Sequence, residues 1–380
     1  MTGPPSRIGV VGVGHLGQSH ARILSTLPGV QLVGVADIRA EQLRAVAARH
    51  GCAAFLDYHD LIDRVDAISI AVPTTYHHEV ASTFLDRGIP AMVEKPLATS
   101  LAEAEQLVSL AAARGALLQV GHIERFNPAL AALENLRLRP KFITAERQST
   151  YTFRSTDIGV VLDLMIHDLD LILSLVSAPV VAVEAVGVSV FGAHEDVANA
   201  RITFEDGCVA TLTASRASMS AARKLRIWSA EGYVALDLMA KNATIIRPSD
   251  RLRRGELDLD GVDLTQPAAV KAHLFGKVLR VDQVPGPECD QLTLELDDFV
   301  RSIRTGSRPR VNGDDALRAM SLADQILRSL NTHAWEGTSD SPTGPFNLPE
   351  PLPEPIPGLT GPKSWRYRSG RIEAPPSSSS

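Results

Sequence analysis

Cysteine is scarce in this chain of 380 residues: Cys52, Cys208 and Cys289 are scattered, without the spacing of a disulfide framework or a cysteine metal site. That usage fits a reducing cytoplasm and excludes a small disulfide-stapled secreted domain. Positive charge is not in excess either, since the formal net charge of -6 offers no general attraction to nucleic acid or to anionic membranes. The short basic stretch "MSAARKLRIW", with one Trp, is too small to change that reading. Long apolar runs are also missing. The most apolar region, Val160 to Val190, is broken by Asp163, His167, Asp168, Asp170 and Glu184, and "MTGPPSR" has no apolar segment of signal-peptide length. Neither a membrane span nor an export signal is expected.

What is present is a pattern of two textures in a chain too long for one ordinary core. The first third alternates short Val/Ile/Ala runs with amphipathic stretches: "RIGVVGV", "VQLVGVAD", "AISIAVP", "PAMVEKP" and "ALLQVGH" read as strands, with helices between them. Ser100 and Gly115 read as cap and stop of one such helix, and Gly51 as the stop of another. Beyond Pro140 the runs lengthen and alternate with polar residues, with "EDGC" and "AEGY" as hairpin turns. The expected architecture is α/β. A Rossmann doubly wound parallel sheet (1–125) is followed by an α+β domain (126–335) whose open, largely antiparallel sheet is covered on one face by helices. Segment 251–287 is expected to be an extended connection with a short helix, and 336–380 a Pro/Ser-rich tail.

Chemistry is concentrated in three places. "IGVVGVGHLGQSH" sets Gly12, Gly14 and Gly17 in the G-x-G-x-x-G spacing at a strand-to-helix junction, with His15 and Leu16 in the same loop. Gly12 permits the turn, Gly14 lets a pyrophosphate approach the backbone, Gly17 lets helix and strand pack, and the helix N-terminus supplies oriented N–H groups. Asp37 ends the second strand, placed to accept hydrogen bonds from an adenosine ribose; it favours NAD, while nearby Arg39 leaves NADP open. "MVEKPLA" puts Glu94 and Lys95 at the carboxyl end of a strand, where α/β sheets bind ligands. In "VVLDLMIHDLDLI", Asp163, His167 and Asp170 fall at i, i+4 and i+7, one helical face, so Asp163 is expected to orient His167 as a general base. A metal site is not expected, because His167 and Asp168 point in different directions.

Taken together, "GVGHLGQSHA", "AVPTTYHHEVA", "EKPLA", "GHIERFNPAL" and "DLMIHDLD" resemble the glucose-fructose oxidoreductase, inositol dehydrogenase and MocA family of NAD(P)-dependent dehydrogenases, over Arg7 to about Leu330. The resemblance implies that Lys95 is the essential lysine and that Asp163 and His167 fill the acid and histidine positions of the D-x-x-x-H motif. It also implies that Pro73 and His77 lie along the cofactor cleft and that Glu94 lies near the nicotinamide ribose. Where many relatives have D-x-G-x-H, this chain has Leu164 and Met165 between the acid and the histidine. Within the family, "VGHIERFNPAL" and "ASRASMSAARKLRIW" are most similar to bacterial UDP-N-acetylglucosamine 3-dehydrogenases, which implies oxidation of a sugar 3-hydroxyl to a ketone for amino-sugar synthesis. Arg125, Arg154, Arg216 and Lys224 are then candidate cations for a nucleotide-sugar diphosphate. The alternatives are a dehydrogenase of inositol or another polyol or sugar acid, and a dinucleotide-binding sensor without catalysis. A cytoplasmic homo-oligomer, dimer or tetramer, with no nucleic-acid or membrane partner is expected.

Overall fold

Two sheets joined through shared helices make up the structure, a computed structural model that describes residues 4–134, 136–152, 158–191 and 194–332. The first contains β1 (Ser6–Val11), β2 (Val30–Ala36), β3 (Ala53–Phe55), β4 (Ala67–Ile70), β5 (Ala91–Glu94) and β6 (Leu118–Gly121). Helices α1 (His15–Leu24), α2 (Ala40–His50), α3 (His77–Leu85) and α4 (Leu101–Arg114) connect them. All neighbours are parallel in the order β3-β2-β1-β4-β5-β6, the doubly wound arrangement. Every residue of β4, β5 and β6 is buried, so these strands must be nearly continuous in apolar residues, with helices on both faces. As expected, α4 starts where the Ser100 hydroxyl accepts the Glu103 N–H (3.3 Å) and stops at Gly115 in the left-handed region. The reversal of strand order between β1 and β4 opens a crevice at the carboxyl ends of the strands.

The second sheet has eight strands: β7 (Pro140–Gln148), β8 (Val180–Val188), β9 (Val197–Phe204), β10 (Val209–Ser215), β11 (Ala222–Ser229), β12 (Gly232–Asp237), β13 (Asn242–Pro248) and β14 (Leu279–Pro285). Their order is β14-β13-β12-β11-β7-β10-β9-β8, antiparallel throughout except for the central β7–β10 pair. Burial alternates along β9 and β10, which places one face inward. Helix α5 (Ile166–Leu175) packs against α9 (Gly313–Thr332), and α9 also packs on β8 and α4, bridging the two sheets.

Three elements depart from the sequence expectation. Strand β3 is too short to leave a periodic signal. The segment 251–287 contains, besides most of α6 (Asp250–Arg253) and all of α7 (Pro267–His273), the strand β14, whose charges suit an exposed sheet edge. Helix α8 (Gln291–Thr305) does not cover the second sheet. Its apolar stripe of Leu292, Leu296, Phe299 and Val300 enters the core of the first sheet beside Ile8, Val10, Ile23 and Met92. A 3.6-residue stripe announces that a face must be buried, not which sheet receives it. The Gln119 side chain on β6 donates to the Glu295 carbonyl (2.9 Å), which ties α8 to the edge strand of the first sheet. The tail expected at 336–380 lies outside the described residues.

Candidate active site

A cavity of about 920 Å³ lies at the carboxyl ends of the first sheet's strands and is closed on its far side by residues of β7, β11 and the start of α5. The glycine loop forms one end. A Cβ on Gly17 would stand 1.8 Å from the Gly12 carbonyl oxygen, and one on Gly12, at φ +85°, would stand 2.6 Å from the Ala71 oxygen. On Gly14 nothing lies nearer than the Arg39 guanidinium, at 3.7 Å, so its bare face looks into the cavity. Helix α1 begins at His15, with His15 and Leu16 on the wall, and its unpaired N–H groups are directed to the same space. The Asp37 carboxylate accepts the N–H of Val13 (2.8 Å) and of Arg39 (2.9 Å), and the Arg39 side chain (3.2 Å). Burial opposes its charge, but those donors outweigh burial and hold it below the usual carboxylate range. Bare backbone, oriented donors and an ionised acceptor together fit a dinucleotide.

Pro73 lies on the wall of the cavity. His77 does not: it is buried behind the wall, with Nδ1 2.8 Å from the Pro96 carbonyl oxygen and Nε2 3.0 Å from that of Val72. It opens α3 with its ring buried, and its two ring nitrogens face the backbone carbonyls that follow β4 and β5.

Lys95, immediately after β5, donates from Nζ to the Asp163 carbonyl oxygen (2.7 Å) and to its carboxylate (3.0 Å). Two of the three ammonium protons are thereby spent, and one is left for a ligand. His167 shares the wall with Lys95 and Asp163. Its Nδ1 is buried without a hydrogen-bond partner, so Asp163 does not orient the ring as the i, i+4 spacing predicted. The reason is local: Val161–Met165 form a π-helical turn before α5, and the wider turn rotates Asp163 off the α-helical line and onto Lys95. Burial, then the charges of Lys95 and Arg147, then His122 and Arg223, push the His167 imidazolium well below its ordinary range. The ring is therefore neutral near pH 7. His122 stands edge-on to it at 6.3 Å between ring centroids.

The cations foreseen for a substrate are redistributed. Arg125 is held by Asp170 (3.2 Å) and the Arg310 carbonyl (3.3 Å), which takes both it and Asp170 away from the cavity. Arg216 is a buried structural cation, bonded to Asp196 (2.6 Å) and the Ile158 carbonyl (2.9 Å). Lys224 follows Arg223 on β11; Arg223 lines the cavity, so strand alternation sends Lys224 to the other face. Arg154 lies outside the described residues. The sequence reading missed Arg223 itself, which the period-two pattern of "ARKLRIW" contained. It also missed Arg147 on β7, which bonds Asp168 (2.7 and 3.0 Å) and Glu124 (2.8 Å) while lining the cavity. Arg223 reaches the same Glu124 oxygen at 3.3 Å. Among the described residues no group of three or more His, Cys, Asp or Glu side chains is placed to hold a metal ion. No described helix is long and apolar enough to cross a membrane.

Comparison with known proteins agrees with this geometry. Residues 6–122 match the GFO/IDH/MocA model described as an oxidoreductase family with an NAD-binding Rossmann fold, and residues 132–235 match the GFO/IDH/MocA C-terminal domain. The UDP-N-acetylglucosamine 3-dehydrogenase of Acidithiobacillus ferrooxidans is 35% identical over 321 residues, covering 84% of this chain and 96% of that protein. A solved structure of the enzyme from that organism superposes with a TM-score of 0.75 at 33% identity, over 86% of this chain and 98% of the other. The myo-inositol 2-dehydrogenase of Thermotoga maritima is 24% identical over 344 residues, 85% of this chain and 96% of that protein. This chain belongs to the GFO/IDH/MocA family of oxidoreductases with an NAD-binding Rossmann fold.

Proposed function

We propose that the protein is an NAD-dependent dehydrogenase that oxidises the 3-hydroxyl of UDP-N-acetylglucosamine to a ketone. The observation that carries the chemistry is the single wall on which a Lys95 ammonium with one uncommitted proton stands beside a neutral His167. The choice of sugar rests on the relative from Acidithiobacillus ferrooxidans, which is alike over nearly its whole length. Bound NAD supplies the hydride acceptor. The chain's own residues do the rest. Lys95, steadied by Asp163, holds the substrate hydroxyl oxygen, and His167 takes the hydroxyl proton, which raises the electron density that expels hydride from the adjacent carbon. Gly12, Gly14 and the start of α1 hold the phosphates, Asp37 the adenosine ribose, and Arg223 is the cation that faces an anionic substrate from the second sheet. The division near residue 125 into cofactor and substrate portions, a homo-oligomeric assembly and a cytoplasmic setting belong to the same proposal.

The test separates chemistry from binding. Lys95→Met and His167→Asn are each expected to lower kcat by at least about a hundredfold, as expected when a general acid–base group or its partner is lost, with NAD affinity within about threefold of wild type. Turnover retained in both variants refutes the roles.

A further inference from the structure

Three buried side chains form a line beneath the cavity. On α1, His20 Nδ1 is 2.7 Å from Ser69 Oγ of β4, and His20 Nε2 is 3.0 Å from Glu94 Oε1 at the end of β5. Ser69 and His20 are fully buried, while Glu94 lines the cavity. The Lys95 backbone N–H donates to Glu94 Oε2 at 3.3 Å. Gly121 on β6 leaves the room required, for a Cβ there would lie 2.9 Å from Glu94 Oε2. A serine–histidine–carboxylate line ordinarily activates the serine. Here the serine is at the closed end, and the member that reaches the cavity is the carboxylate.

We propose that His20, anchored by Ser69, is a positioning residue that holds Glu94 as a fixed, ionised acceptor for ligand hydroxyls beside Lys95. The same bonds tie the helix of the phosphate cradle to the strand that carries Lys95. The ligand group is a vicinal diol such as a ribose, and the inference rests on the reading of the cavity as the dinucleotide site. Burial alone opposes charge on Glu94; the hydrogen bond and charge of His20, then Lys95 and His77, outweigh it and hold the group below its ordinary range. The groups around this carboxylate are His20 from α1, Lys95 from just after β5, His77 from α3 and Glu295 from α8. Glu295 is pushed well up by burial and by the charges of Glu94, Asp298 and Asp170, which disfavours its ionised form. His20 makes the side-chain hydrogen bond among them.

Calorimetric titration of NAD into the full-length protein, from about pH 8 down to about pH 5.5, tests this across the range in which a raised carboxyl titrates. His20→Leu is expected to weaken NAD binding by about tenfold or more, the scale of a lost hydrogen bond to a charged group. Its deficit deepens as pH falls, because Glu94 without its donor becomes protonated from a higher pH. Glu94→Gln removes that pH dependence, and His20→Leu in the Glu94→Gln background adds no further loss. His20→Gln, whose amide can donate to Glu94, recovers part of the affinity, and Ser69→Ala shows the same pH trend at smaller amplitude; these two carry the test if His20→Leu does not fold. Losses that add in the double variant, or a His20→Leu deficit independent of pH, overturn the proposal. Absence of NAD binding by the wild type at any pH overturns instead the reading of the cavity on which it rests.

Discussion

Replacement of Arg147 by methionine is expected to cost about 3–5 kcal/mol of stability, the range for removing one member of a buried ion pair. Arg147, Asp168 and Glu124 have side chains only 3%, 4% and 2% exposed. Burial opposes the guanidinium's charge, and the two carboxylates outweigh it. With methionine, Asp168 loses both guanidinium bonds, of 2.7 and 3.0 Å. Glu124 loses one of 2.8 Å but keeps Asn127 at 2.8 Å and Arg223 at 3.3 Å, so the larger share of the cost falls on Asp168. Against a total stability of about 5–15 kcal/mol this is a large fraction. Its sign with pH follows from burial. In the variant both carboxyls lose the guanidinium that favours their charged forms, so each folded pKa rises relative to wild type, and the deficit is greatest at high pH and shrinks on acidification. Urea unfolding followed by circular dichroism at about pH 8 and pH 5.5 reads both features, because that interval covers raised carboxyl pKa values. A loss below about 1 kcal/mol, typical of a surface pair, or a deficit that grows on acidification, refutes the reasoning. The same change removes one of the cations that keep His167 neutral, so the acid limb of kcat/KM moves to higher pH.

Three further outcomes follow from particular contacts. Gly17→Ala drives a Cβ into the Gly12 carbonyl at 1.8 Å, backbone against backbone; a melting temperature lower by several degrees and a loss of NAD affinity of about tenfold or more are expected on calorimetry. Asp170, lifted to about 7 by burial against the pull of Arg125, contributes stability that is present at low pH and lost as pH rises towards 7; Asp170→Asn flattens that decline in melting temperatures taken at about pH 5 and pH 8. Arg223→Ala raises KM for a nucleotide sugar by about five- to tenfold, the discounted value for a cation 51% exposed, with little change in kcat in steady-state kinetics.

Much of the site was legible because its motifs act over short stretches of chain. Gly12, Gly14 and Gly17 need only a strand and a helix around them, and Lys95 needs only to end a buried strand. Less legible was anything that depends on a distant partner. Arg125 and Arg216 look like free cations in sequence, yet Asp170 and Asp196 claim them from other elements. His20, Ser69 and Glu94 are separated by 49 and 74 residues along the pairs they form, and only the packing of α1 across β4 and β5 aligns them. Asp163 and His167 illustrate a different limit. Their spacing is right for a pair on an α-helix, but one π-helical turn was enough to exchange the partner.

On the proposed function Lys95 holds, and His167 deprotonates, one alcohol of a nucleotide sugar whose hydride passes to bound NAD. Incubation of the wild-type protein with NAD and UDP-N-acetylglucosamine, with NADH followed by absorbance and the sugar nucleotide by mass spectrometry, is the deciding measurement. NADH is expected in step with a product lighter by two hydrogens, and neither is expected with His167→Asn. Unchanged sugar nucleotide, with NADH formed only from inositol or another uncharged polyol, contradicts it.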